Sequence, residues 1–220
     1  MGTATAITVT PILVAELHVE GEVMPVYVHV VDHPDGRVLV DTGMTELHPL
    51  LDDMDPRLYP LSEQEGFDVA GIDIVVNTHL HGYHCGGNHL FAGKPIYVQR
   101  LELEEARSRD DYSIREWVEP PGVQYVPIDG ELELLPGVRL VPAPGHTDGT
   151  QVVVVESGGR PVVIAGDAAV WHGELDEPST EGQRLILVLQ PELVWLAHTH
   201  VPWRPAGSAA QTETASTADG

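Results

Sequence analysis

The sequence predicts an α/β protein in which stacked β-sheets are covered by helices, a layered sandwich. Three observations predict it. Short apolar, β-branched runs recur along the whole chain, helical stretches are few and fall between them, and Gly, Pro and Asp clusters separate the runs at turn spacing. The 220 residues suit one domain with a single sizeable core, expected over residues 1–204. From Pro205 onward the sequence PAGSAAQTETASTADG is small, polar and aperiodic, so residues 205–220 are expected to be a disordered tail.

The elements follow in order. Residues 12–18 and 24–31 are β-rich, and His33-Pro34-Asp35-Gly36 is a turn leading into a strand over 37–40. Residues 44–54 read as a short helix whose start is limited by Pro49. The continuous apolar run 72–76 is a buried strand, and 96–99 is another. Residues 101–109 (LELEEARSR) form a helix with acids early and arginines late, which complements the helix dipole. Strands follow at 123–128, 132–135 and 138–141, the last two joined through Pro136-Gly137. Residues 151–156 and 161–165 make a hairpin, 180–189 a helix, and 193–197 a final buried strand.

Composition excludes several classes of function. Eleven basic against 34 acidic residues give a formal charge of −23, which repels phosphate backbones and anionic lipid, so neither nucleic acid nor membrane is expected as a partner. No run approaches the ~18 apolar residues that a spanning helix needs. The N-terminus lacks the basic and apolar regions of a signal peptide. One cysteine, Cys85, precludes an intramolecular disulfide. The expectation is a soluble cytoplasmic protein of undetermined oligomeric state.

The chemistry lies in the histidines. His79, His81 and His84 stand in VVNTHLHGYHCGGNH, directly after the buried run 72–76. Two imidazoles at i and i+2, with a third three residues on, can converge on a metal from a tight loop, and neutral imidazole is a favoured ligand. His146 (PAPGHTDG), Asp167 (VVIAGDAA) and His198 (LVWLAHTH) each follow a strand as well. Singly such residues read as turn or cap groups. Together they bring a full ligand set to one edge of the sheets. Cys85, between His84 and two glycines, reads as a small buried residue, and His89 as a cap or solvent-facing side chain. Trp171 is close enough to Asp167 to line a substrate site, and Pro202 and Trp203 are placed to close the same pocket. His18, His29, His33, His48 and His172 have no evident partner.

In sequence order Val40-Asp41-Thr42-Gly43, THLHGYHCGGN, PGHTDG, AGDA and AHTH resemble the metallo-β-lactamase superfamily of metal-dependent hydrolases, over nearly all of residues 7–204. The HCGGN context and small size are most similar to the N-acyl homoserine lactonase-like branch. The resemblance implies a four-layer αββα sandwich. It also implies that His79, His81 and His146 bind a first metal, that His84 and His198 bind a second, and that Asp167 bridges both. Two zinc ions are the implied cofactor, with a single ion, iron or manganese as alternatives. Asp41 is implied to lie behind the site and orient its ligands, and His200 competes with His198 for the last position.

One position departs from the pattern. The family motif is His-x-His-x-Asp-His, and Tyr83 stands where it has Asp. Three readings stay open. Tyr83 ionises beside a dication and ligates it, it donates a hydrogen bond or a proton to the substrate as a catalytic group, or the second metal position is impaired. Homoserine lactonases usually carry a tyrosine three residues after the bridging aspartate, where this chain has Val170, and Tyr83 could supply that phenol from the other side. The implied reaction is opening of a lactone or related ester by a metal-activated hydroxide, with Asp167 and Tyr83 as its catalytic groups and a small ester or lactone as substrate. Thioester or β-lactam hydrolysis on the same site is the alternative, as is a catalytically impaired metal-binding protein.

Overall fold

The computed structural model describes residues 7–156 and 158–206. It opens with a long antiparallel hairpin of β1 (Thr8–Val19) and β2 (Glu22–His33), in which Val19 faces Glu22 and Thr8 faces Asp32. The two-residue turn takes left-handed backbone at Glu20 (φ 53°) and Gly21 (φ 87°), the geometry that matches the twist of paired strands. β3 (Gly36–Val40) continues the antiparallel run, and the two-residue β4 (Arg57–Leu58) pairs with the outer edge of β1. The chain then winds in parallel through β5 (Ile74–Val76), β6 (Pro95–Gln99) and β7 (Gln124–Ile128). These strands form one sheet in the order β4-β1-β2-β3-β5-β6-β7.

The second half of the chain builds its own sheet from β8 (Leu132–Leu135), β9 (Val138–Pro142), β10 (Gln151–Val155), β11 (Val162–Ile164) and β12 (Leu193–Trp195). Its order is β12-β11-β10-β9-β8, antiparallel except for the β11–β12 pair. Helices are short: α1 (Gly82–Cys85), α2 (Arg100–Ser108), α3 (Arg115–Val118), α4 (Gly173–Asp176) and α5 (Glu181–Val188).

Strand composition explains the layering. All five residues of β10 are buried, so both its faces are covered. Val153 and Val155 pack with Val38, Val40 and Val76 of the first sheet, making the core between the sheets. Val152 and Val154 point the other way, into a cluster with Leu175 of α4 and Ile186 of α5. On the far side of the first sheet, Val98 packs with Leu103 and Ala106 of α2 and Val118 of α3. Two sheets face each other and helices cover both outer faces, which is the αββα sandwich of the sequence reading.

Differences are local. Only Pro49–Met54 of the expected helix 44–54 forms, as a 3₁₀ turn, because Pro49 has no N–H to extend it and the His48 ring already accepts the Leu50 N–H. The run 72–76 is strand from Ile74 onward. The tail expected over 205–220 lies, from residue 207, outside the described residues. No described helix is long and apolar enough to cross a membrane. What positions the site is direction: β3, β5, β9, β11 and β12 all release, at their carboxyl ends, loops that meet at one edge of the sandwich.

Candidate metal centre

Asp167, in the turn after β11, is the hub. Its Oδ1 lies 3.1 Å from His198 Nε2 and 3.2 Å from His84 Nε2, and its Oδ2 lies 3.6 Å from His146 Nε2 and 3.8 Å from His79 Nε2. His81 Nδ1 stands 3.0 Å from His146 Nε2. Two triads result, each with ligand atoms within 4.8 Å of one another: His79, His81 and His146, and His79, His84 and Asp167. The first sheet supplies His79, His81 and His84, the second His146, Asp167 and His198. All six candidate ligands therefore share one place.

The loops that hold them are tightly built. Thr78, between β5 and His79, donates its N–H to Asp41 Oδ1 (2.7 Å) and its hydroxyl to Asp41 Oδ2 (2.8 Å). The same hydroxyl oxygen is 3.2 Å from His79 Nδ1 and accepts its proton, which leaves Nε2 as a free lone pair aimed at Asp167. His84 Nδ1–H donates to Asp41 Oδ2 (2.8 Å), and His198 Nδ1–H donates to the Pro25 carbonyl (2.8 Å), which fixes both rings in the same sense. Asp41 holds its position with left-handed backbone (φ 61°) at the end of β3, a conformation Asp tolerates better than most residues. Gly166 brings β11 close enough that a Cβ there would sit 2.3 Å from Thr78 Oγ1.

Burial and charge set the protonation states. Burial pushes His79 well below the usual histidine range and His81 down to about 4, and it lowers His146. These three are neutral, the form that ligates metal. Burial works against a charge on His84 too, but the Asp167 and Asp41 carboxylates outweigh it and push its pKa up to about 10. Burial would raise Asp167; His84 and His198 overcome it and hold the carboxyl well below the usual range.

A metal fits this donor set on a specific ground. His79 Nε2, His84 Nε2 and Asp167 Oδ1 are fully buried without a hydrogen-bond partner, on the two segments that follow β5 and β11, and face one another. Buried polar atoms are nearly always paired, because an unpaired one costs ~1–3 kcal/mol. Once His84 gives up its Nε2 proton, the nitrogen and oxygen lone pairs around this common point are what a divalent cation takes up.

Tyr83 sits in α1, its ring centroid 5.0 Å from that of His84 and 5.7 Å from that of His198. Burial, then the negative charge of Asp167, raises its pKa, so the phenol keeps its proton. It lines a cleft of ≈ 390 Å³ with His81, Leu50, Leu51, Tyr112 and Ile114. His200 is elsewhere, with Nδ1 2.9 Å from the Tyr27 hydroxyl. Trp203 does not close the pocket. It is buried, pairs through its backbone with Val194 and donates Nε1–H to Asp176, because the chain after His198 folds back along β12. Trp171 is 60% exposed and lies over Gly173. Cys85 is buried, its thiol donating to the Leu80 carbonyl. Of the histidines with no evident partner, His18, His33, His48 and His172 meet Asp55, Pro136, Glu116 and Val201 respectively, and His29 is buried against Trp195. Sequence reading missed Glu102, a fully buried carboxylate under the ligand loops. The one available signal was its placement on the same helical face as Leu103 and Ala106.

Comparison with known proteins agrees with this geometry. The metallo-beta-lactamase superfamily matches residues 21–210. An N-acyl homoserine lactonase of Bacillus sp. is 32% identical over 164 residues, 66% of this chain. One of Bacillus cereus is 31% identical over 151 residues, 61% of this chain. The match spans 64% and 59% of the length of these two relatives. A solved structure of a Bacillus thuringiensis AiiA mutant with N-decanoyl-L-homoserine bound at its active site superposes with a TM-score of 0.72 at 24% identity, over 90% of this chain and 94% of that one. AidC, a dizinc quorum-quenching lactonase, superposes with a TM-score of 0.58 at 17% identity, over 80% of this chain and 73% of its own.

Proposed function

We propose that this chain, which belongs to the metallo-β-lactamase superfamily, is a metal-dependent hydrolase that opens a lactone, with an N-acyl homoserine lactone as its substrate class. The observation that carries the metal dependence is the set of buried, unpartnered atoms His79 Nε2, His84 Nε2 and Asp167 Oδ1. His79, His81 and His146 would hold a first metal and His84 and His198 a second, with Asp167 as a further ligand. Zinc suits the nitrogen-rich donor set. Bound there, a divalent metal supplies Lewis-acid polarisation of a carbonyl and a water acidic enough to lose its proton near neutral pH.

The chain's own residues do the rest. Asp41 and Thr78 hold the Nδ1 side of both rings, so that Nε2 of His79 is free to ligate and Nε2 of His84 is the atom that does so once it loses its proton. Leu50, Leu51 and Ile114 give the cleft an apolar wall that suits an acyl group. Tyr83 faces that cleft with its proton in place, which supports the reading that its hydroxyl donates to the substrate carbonyl or the departing ring oxygen. Charge favours an uncharged substrate over a β-lactam with its carboxylate. Asp110 and Asp111 line the cleft, and Arg109, at its polar flank, is 3.5 Å from Asp111 and lies over the Tyr112 ring.

The test compares hydrolysis of an N-acyl homoserine lactone, a thioester and a chromogenic β-lactam by protein of known metal content, before and after chelation. Metal-dependent turnover of the lactone alone is expected. Bound metal with no turnover of any of the three would make this a binding protein. Protein that binds no metal would overturn the centre itself.

A further inference from the structure

We infer that Glu102 is a positioning residue for the three-histidine half of the centre, its carboxylate tying the loop of His79 and His81 to the loop of His146. The inference rests on the metal reading above. Glu102 lies in the first turn of α2 and is 0% exposed. Its Oε1 accepts the Leu80 N–H at 2.7 Å, and its Oε2 accepts the Thr147 hydroxyl at 2.6 Å. Leu80 is the residue between His79 and His81, and Thr147 directly follows His146. One carboxylate therefore grips the immediate neighbour of all three imidazoles.

The surrounding bonds make the grip specific. The other side of the Leu80 peptide is held as well, its carbonyl accepting from Cys85 Sγ and Ser113 Oγ. Thr147 is fixed through Thr150, which lies 2.7 Å away hydroxyl to hydroxyl and accepts the Thr147 N–H at 3.0 Å. Gly149 carries the second loop directly onto the backbone of α2, where a Cβ would stand 2.3 Å from Glu102 N. Burying a carboxylate costs free energy that an apolar side chain on the same helix face would not. Here the return is a fixed spacing between two loops from different sheets. Both oxygens are taken by protein donors, so Glu102 is not itself a ligand. Partners that orient ligands from behind change metal affinity by about 10- to 100-fold when removed.

The experiment titrates cobalt(II) into metal-free wild type, Glu102→Leu, Glu102→Gln and Thr147→Val, with absorption spectra reporting coordination. Hydrogen exchange at the Leu80 amide and unfolding of the metal-free proteins are measured in parallel. Glu102→Leu and Thr147→Val are expected to lose about 10- to 100-fold in affinity for the first equivalent of cobalt. Glu102→Gln still accepts from Leu80 and can donate to a turned Thr147 hydroxyl, so it should retain near wild-type affinity. Leu80 should exchange faster in Glu102→Leu alone. First-equivalent affinity unchanged in Glu102→Leu and Thr147→Val, with stability reduced, would overturn the inference and leave Glu102 a purely structural group. Should Glu102→Leu fail to fold, Thr147→Val against Glu102→Gln decides the same question. A wild type that takes up no cobalt would overturn the metal reading and this inference with it.

Discussion

Replacing Asp41 by Asn changes one atom in a place where three hydrogen bonds converge. The carboxylate accepts from Thr78 N–H (2.7 Å), from the Thr78 hydroxyl (2.8 Å) and from His84 Nδ1 (2.8 Å). Asn has the same shape and tolerates the left-handed backbone at this position (φ 61°), so sterics drop out. With the amide oxygen placed toward Thr78 N–H, the amide nitrogen replaces Oδ2. Thr78 can turn its hydroxyl to accept. His84 Nδ1–H meets a donor and loses its partner. The net loss is one charge-assisted hydrogen bond, about 1.5–3 kcal/mol. For a domain of this size that is a fall of roughly 3–12 °C in Tm of the metal-free protein. The second consequence is chemical. To accept from the new amide, His84 must give up its Nδ1 proton and keep the one on Nε2, the atom 3.2 Å from Asp167 and needed by a metal. Asp41→Asn should therefore weaken one equivalent of metal by about 10- to 100-fold and spare the other. Thermal unfolding of the metal-free variant, with zinc titrated against a fluorescent chelator, measures both. An unchanged Tm together with two unaltered metal equivalents would refute the reasoning.

Further outcomes follow from the same geometry. In the metal-free protein the His84 pKa is raised from 6.5 to about 10, so its stabilising contribution is complete below about 6.5 and lost as pH rises through about 10. Metal must displace that proton, so affinity at His84 should rise with pH across the same window; calorimetry at pH 7.5 in buffers of differing ionisation enthalpy should show proton release, and none would contradict the assignment. Gly149→Ala would place a Cβ 2.3 Å from Glu102 N, against backbone that cannot yield, and should cost about 3 kcal/mol in urea unfolding; an unshifted midpoint would contradict the packing. Tyr83→Phe should lower kcat for lactone opening by roughly 100-fold at unchanged metal content and little-changed KM, and an unaffected kcat would exclude the phenol from the reaction. Tyr83→Asp should tighten the second metal equivalent, read by the same chelator competition as Asp41→Asn.

How far the sequence could be read depended on whether a signal was local. The strand at β10 was legible because QVVVV is apolar on both faces, and only a strand buried between two layers tolerates that. His79, His81 and His84 were legible because they lie together after such a strand. Their distant companions were legible because each follows a strand end, a place that brings chemistry to one edge whatever the loop between. Where the signal was not local, reading failed. Trp203 follows His198 by five positions and looked like pocket wall, yet its partners Val194 and Asp176 are set by how the chain folds back over β12. Glu102 reads as an acid complementing a helix dipole. Its place on the buried face of α2 is all that helical period reports; its partners, Leu80 and Thr147, lie 22 and 45 positions away. Helix α1 was invisible because four residues starting at a glycine carry little propensity; it forms because His81 and Gly82 carbonyls accept from Cys85 and Gly86 around the ligands.

The division of the chain into two halves, one sheet each, bears on how the molecule is made. Residues up to Ile128 complete the first sheet, with Val31, Val38, Val40 and Val76 presenting an apolar face that, among the described residues, the second sheet of β8 to β12 covers. A ribosome adding ~5–20 residues per second needs roughly 3–13 s to pass from Ile128 to Trp195. For those seconds the nascent chain carries a valine-rich sheet surface with nothing to bury it, the state in which strands pair with neighbouring chains. His198 emerges later still, so the ligand set is completed at the very end of the fold, after the face beneath it has closed. Conditions that slow translation across the second half should therefore reduce soluble yield, without any change in the stability of the molecules that do fold.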